Sequence, residues 1–192
     1  MPNAPFEVIV SPFEVYITTG SDAFPAVAAT PTGGWVLMGT NGKRNQAEGG
    51  VVIEHSQTLV PIRTEGHTGP VKVTRTSEDQ MVRFTLYDLS INQYKHALSG
   101  DAPTTVASTG DQIGLSRAEN VREVQLLIRG PSPAANNVNA QYEIPRAVQA
   151  GSPAPALSKT GASGLAFEFM TLDHMTASAT GQRFGRLIVA NS

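Results

Sequence analysis

The chain has 192 residues, a formal net charge of −2 and a pI near 6.1, so it lacks the basic excess of a protein dedicated to binding nucleic acid. It contains no cysteine, which excludes disulfide bonds and thiolate metal sites. The 18 glycines and 13 prolines divide it into many short apolar runs, a pattern that predicts one mainly β domain over residues 1–192.

The N-terminal segment lacks the basic start and long apolar core of a signal peptide. No apolar run of the chain is long enough to span a bilayer. We therefore expect a protein that is not exported by a standard signal and does not enter a membrane. Phe6–Val10 and Glu14–Thr19 predict two short strands, which Pro12 separates because proline cannot donate a ladder hydrogen bond.

A long loop and a third strand follow. Gly20–Gly34 is rich in Ala, Pro, Thr and Gly, which predicts a loop. Trp35–Thr40 predicts a strand whose Trp35 side chain packs in the core. Asn41-Gly42 predicts a tight turn, because both residues tolerate a positive φ.

An exposed projection is predicted next. Gly50–His55 predicts a strand that Thr58–Arg63 can continue. Pro61–Pro70 is polar and broken by glycines, which predicts a long exposed loop or ribbon tip. We assign residues 57–69 to this exposed loop.

Two runs of alternating side chains come after it. Val71–Thr76 and Met81–Leu86 alternate apolar and polar residues, as half-buried strands do. Ser77 to Asp79 joins the two runs, so we expect a hairpin with Glu78 and Asp79 exposed at its turn. A turn or an interface explains these carboxylates better than acid–base catalysis, because an exposed pair lacks the environment that tunes a catalytic acid.

Residues 90–99 predict a helix. Ser90 and Gln93 fit a capping box, in which each side chain covers the free backbone donor of the other residue. The apolar stripe at helical spacing comprises Ile91, Tyr94, Ala97 and Leu98. Gly100 follows as expected at a helix end, and His96 is expected to be solvated.

The second half returns to strands. The predicted strands are Gln112–Leu115, Val121–Arg129, Gln141–Val148, Leu165–Leu172 and Phe184–Ala190. Pro145 interrupts one of them, so we expect that strand at a sheet edge.

No motif for catalysis or metal binding emerges. The string around Ser163 lacks the spacing of a nucleophile elbow and precedes a strand. None of the four histidines has another at ligand spacing, and the adjacent Asp173 and His174 would point to opposite faces of a strand. We expect no catalytic site, metal, cofactor or enzymatic activity, although dispersed residues can form a site without a motif.

Short motifs in a fixed order extend from about Glu14 to Val189. The strongest are Thr68–Lys72, Arg75–Asp79 and Phe84–Leu89. The others are Ala23–Pro25, Trp35–Leu37 with Gly39-Thr40, Gly49–Val52, Tyr94 and Leu98, Gln141–Arg146, Gly151–Pro153, Phe167–Phe169 and Phe184–Leu187. As an ordered set, they resemble the major tail tube proteins of bacteriophages with long, non-contractile tails.

The resemblance implies a β-sandwich or partly closed barrel with one flanking helix. Subunits of this family form hexameric rings that stack into a hollow tube, through which DNA passes to the host without specific binding. The implied partners are other copies of the chain, a tape-measure protein in the lumen, and tail terminator and tail-tip or distal tail proteins at the ends. The resemblance also implies assembly in the host bacterial cytoplasm and a place in the virion tail. Residues 1–13 would be an N-terminal arm, and the loop at 57–69 would reach the next ring.

Charged residues of the projection and the expected hairpin are the candidates for contacts between subunits. They are Arg63, Glu65, His67, Lys72, Glu78, Asp79 and Arg83. Three alternatives stay open: a tube or ring protein of a contractile tail or injection system, a virion-surface β-sandwich that binds a receptor or carbohydrate, and an enzyme. The second would need exposed aromatic residues near its loops, which here are mostly Ala, Gly, Pro, Ser and Thr.

Overall fold

The structure is a computed structural model that describes residues 13–27, 29–98, 104–106, 110–117, 119–131, 139–157 and 161–189. Within these ranges the chain forms ten strands and a single α-helix, which confirms the prediction of a mainly β fold. The predicted strand Phe6–Val10 lies outside them, as does the predicted N-terminal arm except for Phe13.

The strands are β1 (Glu14–Thr18), β2 (Val36–Leu37), β3 (Val52–Ile62), β4 (Lys72–Leu86), β5 (Thr104–Val106), β6 (Gly110–Gln112), β7 (Glu123–Pro131), β8 (Asn139–Gln149), β9 (Leu165–Thr171) and β10 (Arg186–Val189). Eight strands form one antiparallel sheet in the order β2-β1-β7-β8-β9-β4-β3, with β10 also paired to β8, whereas β5 pairs with β6. Within the described ranges the end strands β2 and β3 do not pair with each other, so the sheet is open.

The core contains side chains from distant strands of the sheet. Val15 and Ile17 of β1 and Leu126 of β7 are buried in one hydrophobic cluster with Phe84 of β4 and Phe167 of β9. The rings of Phe84 and Phe167 stack, with centroids 5.0 Å apart. Burial alternates residue by residue along β9, as the sequence pattern predicts.

β8 lies inside the sheet, so the prediction that Pro145 places it at an edge is wrong. Along one side β8 pairs first with β10 and then, from Ala147, with β9, and these pairings leave Pro145 between them. Along the other side, the register with β7 shifts between Val124 and Leu126. The missing N–H of Pro145 therefore falls where the ladder is interrupted, which allows a proline inside a sheet.

The α-helix, α1 (Ile91–Leu98), packs against β8 and β9 and confirms the predicted helix. Its predicted capping box does not form. Instead, Ser90 N donates to Asp88 Oδ1 at 3.0 Å, while the buried Gln93 Oε1 has no hydrogen-bond partner among the described residues. The residue that stabilises the helix start therefore lies in the short segment between β4 and the helix.

His96 of α1 is half-buried, so the prediction of a solvated side chain is wrong. Burial, followed by the charges of Lys95 and Arg122, lowers its pKa to about 4. The imidazole is therefore neutral at pH 7.

The strand predicted at Trp35–Thr40 is shorter than expected, because only Val36 and Leu37 pair with β1. Trp35 is buried, as predicted, and its ring centroid lies 5.3 Å from that of Phe24. These contacts help to hold the loop before β2 against the sheet.

Candidate functional site: an exposed two-stranded ribbon

β3 and β4 pair from Val52 opposite Arg83 to Ile62 opposite Lys72, with one register shift between Thr58 and Leu59. β9 pairs with only the last residues of β4, beginning at Met81. Beyond that point, within the part of the chain that the structure describes, the two strands pair only with each other, and we call residues 54–79 the ribbon. The ribbon contains residues 72–79 of β4, which span about 27 Å at roughly 3.4 Å per residue, so the ribbon is a long projection.

The ribbon corrects two sequence predictions. The expected hairpin with its turn at Ser77 to Asp79 does not exist, because residues 72–86 form one strand. The loop predicted at 57–69 is also shorter, because its first residues, to Ile62, belong to β3. Turn chemistry explains the outcome: Gly66 supplies a φ of +89 at the ribbon tip, whereas Ser77 to Asp79 contains neither glycine nor proline.

Every residue from 54 to 79 is exposed. Several of them are apolar: Leu59, Val60 and Ile62 are each 47 % exposed, Val71 58 % and Val73 48 %. An isolated two-stranded ribbon is marginally stable in water, and contiguous exposed apolar residues mark interaction surfaces. The segment is therefore exposed, as predicted. The apolar residues among those exposed were not predicted.

The apolar residues occupy both faces of the ribbon. Pro61 lies opposite Val73 in the register, and side chains alternate along each strand. Leu59 and Val73 therefore share one face, while Val60 and Ile62 share the other. The signal was available in the sequence, since Leu59 and Val60 are adjacent and two adjacent apolar residues in a strand point to opposite faces.

β3 is the last strand of the sheet, so its outer edge carries backbone groups with no strand partner among the described residues. Proteins usually shorten, charge or cover such an edge, because it can pair with another chain. β3 has 11 residues, which is long for an edge strand. The ribbon thus presents two faces with exposed apolar residues and one unpaired strand edge to a possible partner chain.

The residues predicted to form subunit contacts are spread along β4 and the tip rather than gathered at one place. Arg63, Glu65 and His67 lie at or near the tip, and Lys72 begins β4. The Arg63 side chain is partly engaged, because its Nη1 donates to Thr68 O at 3.3 Å. These side chains are all exposed and surround the turn.

The remaining predicted residues lie nearer the body of the protein. Glu78 forms an ion pair with Arg75 at 2.8 Å, and Asp79 lies opposite a serine of β3. Arg83 lies at the base, where it contacts Glu54 and donates through Nε to Glu168 Oε1 at 3.1 Å. These half-exposed pairs order the base of the ribbon more than they stabilise the fold.

Other polar side chains show ordinary local pairing. Asp173 contacts Arg183 at 3.3 Å, and His174 Nε2 lies 3.1 Å from Thr176 Oγ1. Within the described ranges, no group of three or more His, Asp or Glu side chains is placed to hold a metal ion. No helix among the described residues is long and apolar enough to cross a membrane.

The sequence matches no model of a known protein family and no curated protein.

Proposed function

We propose that this chain is the structural subunit of a phage tail tube. Copies assemble through the ribbon and the open sheet into hexameric rings, and the rings stack into a hollow tube that conducts DNA. The observation that carries the proposal is the ribbon itself, which exposes apolar side chains on both faces and one long strand edge. The ordered resemblance to tail tube proteins supports the choice of assembly.

The physical argument starts from what an isolated subunit leaves unsatisfied. Among the described residues, the outer edge of β3 has no strand partner, and residues 54–79 are all exposed. A second copy of the chain can supply a strand partner and cover the exposed residues. Contacts that join unlike surfaces form a ring when the rotation between copies closes and a filament when it does not. A stack of rings combines the two arrangements.

The charge of the chain suits a tube that conducts DNA. The formal net charge is −2, so a wall made of many copies does not attract phosphate as a basic surface would. Transport needs this lack of attraction. The tape-measure, terminator and tail-tip proteins implied by the resemblance are part of the same proposal.

The test shortens the ribbon symmetrically. Removing residues 57–69 alone would leave part of β4 without its partner strand. Instead, residues 59–76 are replaced by Asn-Gly, which joins the paired Thr58 and Ser77 through a two-residue turn. The parent chain and the shortened variant are compared by negative-stain electron microscopy and by sedimentation, with circular dichroism to confirm that both are folded.

We expect hollow tubes or six-fold rings from the parent chain at high concentration, and folded monomers from the shortened variant. Normal tubes from the shortened variant would exclude the ribbon as the assembly element. A parent chain that stays monomeric at every concentration, and also in the presence of isolated tail tips, would contradict the tube proposal.

A further inference from the structure

We propose that the outer ribbon of one copy, residues 59–76, docks on the exposed sheet face at the base of the ribbon of the next copy. This inference rests on the proposed function and names the partner surface of the ribbon. We call that surface the base face, and it consists of side chains of β3, β4 and β9 that point away from the core: Val52, Glu54, Asp79, Arg83, Glu168 and Met170.

The base face lies on the side of the sheet opposite to the hydrophobic core. Arg83 pairs in register with Val52 of β3 and with Glu168 of β9, so the three side chains form one row across the sheet. The adjacent Phe84 points to the other side and is buried in the core cluster. Val52 is 51 % exposed and Met170 36 % exposed, so the base face also presents apolar surface.

The charges of the two surfaces are complementary. The outer ribbon is net basic, since its charged residues are Arg63, Glu65, Lys72 and Arg75. The base face is net acidic, since its charged residues are Glu54, Asp79, Arg83 and Glu168. Contact between two ribbon tips would bring like charges together, whereas contact between a tip and a base face joins opposite charges.

Arg83 holds two carboxylates of the base face in place. It contacts Glu54 and donates through Nε to Glu168 Oε1 at 3.1 Å. Each carboxylate can accept further hydrogen bonds, because an ionised carboxyl group has about four lone-pair sites. The guanidinium or ammonium group of a partner therefore meets acceptors that are already oriented, which lowers the entropy cost of binding.

A depression of about 250 Å³ opens on the base face, and Val52, Arg83 and Glu168 are among the residues that line it. It has room for an aliphatic side chain. The outer ribbon presents such side chains near its tip, where Ile62 and Val71 are both about half exposed. Insertion of one of them would remove apolar surface of both copies from water.

The two surfaces lie at different positions along the same strand. β4 begins at Lys72 beside the tip, and Arg83 of the base face lies about 37 Å further along at roughly 3.4 Å per residue. A ribbon extended over this distance cannot reach its own base, so the contact requires a second copy. Because the contact joins unlike surfaces, it can repeat from copy to copy along a stack.

Charge reversal tests the contact at exposed residues. The tip variant is Arg63→Glu with Lys72→Glu, the base variant is Glu54→Lys with Asp79→Lys, and the combined variant carries all four changes. The matched control is Lys43→Glu with Arg44→Glu, which alters the net charge as much as the tip variant does, at exposed residues outside both surfaces. Circular dichroism confirms folding. The readout is the protein concentration at which tubes appear, measured by sedimentation and electron microscopy.

A single substitution tests the depression. Val52→Arg places a cation and a longer side chain on the base face, where both oppose docking of a basic ribbon. Leu157→Arg makes a similar change at a residue that is 84 % exposed elsewhere, so it is the matched control.

We expect the tip variant, the base variant and Val52→Arg each to raise the concentration for assembly about tenfold or more, and the two controls to behave like the parent chain. The combined variant should recover much of the loss, because it exchanges the charges of the two surfaces. Unchanged assembly in the base variant or in Val52→Arg, or no recovery in the combined variant, would overturn the base face as the partner surface.

These outcomes separate the inference from the proposed function. If the shortened ribbon abolishes assembly while the variants of the base face do not, the tube proposal stands and only the base face fails. A parent chain that never assembles would remove both.

Discussion

Arg129 of β7 lies directly opposite Gln141 of β8, and its Nε and Nη2 donate to Gln141 Oε1 at 3.2 and 2.8 Å. The same guanidinium reaches the loop before β2, where it donates to Ala29 O at 2.6 Å and Ala26 O at 3.1 Å. Gln141 adds a bond to Pro25 O at 2.9 Å. One buried arginine and its neighbour thus attach a loop about 100 residues away in sequence to the sheet.

We expect Arg129→Met to destabilise the fold by about 3 kcal/mol, because it leaves the buried Gln141 Oε1 and the Ala29 carbonyl without the donors that Arg129 supplies. Urea unfolding measures the change. The matched control is Arg183→Met, whose ion pair with Asp173 is half-exposed and should contribute less than about 1 kcal/mol. If both variants lose the same unfolding free energy, the buried guanidinium of Arg129 has no special structural role.

Gly185 immediately precedes β10 and has a φ of +124, a conformation that side chains rarely adopt. A Cβ at this position would also collide with the Glu143 carbonyl oxygen. We expect Gly185→Ala to cost about 2 kcal/mol and lower Tm by about 5 °C. Gly181→Ala is the control, since a Cβ there has nothing within 4 Å. If Gly185→Ala is as stable as Gly181→Ala, the backbone immediately before β10 does not require glycine.

The stability of the fold should depend on pH through His96. Its pKa falls from 6.5 to about 4 on folding, chiefly because of burial. As pH decreases from about 6.5 to about 4, the unfolded chain takes up the proton first, so the folded state loses stability across this window. An NMR titration should place the folded-state midpoint near 4.

Two histidine variants separate the contribution of His96 to the pH dependence of stability. His96→Gln should flatten the stability profile between about pH 6.5 and 4, whereas His67→Gln, at the exposed ribbon tip, should leave it as in the parent. A His96 midpoint near 6.5, or an unchanged profile in His96→Gln, would contradict the burial of the imidazole.

Several strand positions follow from local pattern, but strand neighbours do not. The predicted strand Gln112–Leu115 is wrong, because β6 ends at Gln112. The alternation over Leu165–Leu172 corresponds closely to β9, because side-chain period is a local property. The environment of Pro145 could not be predicted, since it depends on β9 and β10 sharing one side of β8. The cap of α1 was also missed, because Asp88 competes with Gln93 for the same backbone donor and only the path out of β4 decides between them.

The sequence by itself determined a mainly β fold, a helix near residues 90–99 and an exposed projection that carries the charged candidates. Only the tertiary structure decided what covers each strand. Val73 and Val82 both belong to apolar–polar alternations of the same kind, yet Val82 is fully buried and Val73 is 48 % exposed. The reason is that β9 pairs with β4 only from Met81 onward. The exposure of an apolar side chain depends on which distant segments reach it, and no local pattern contains that information.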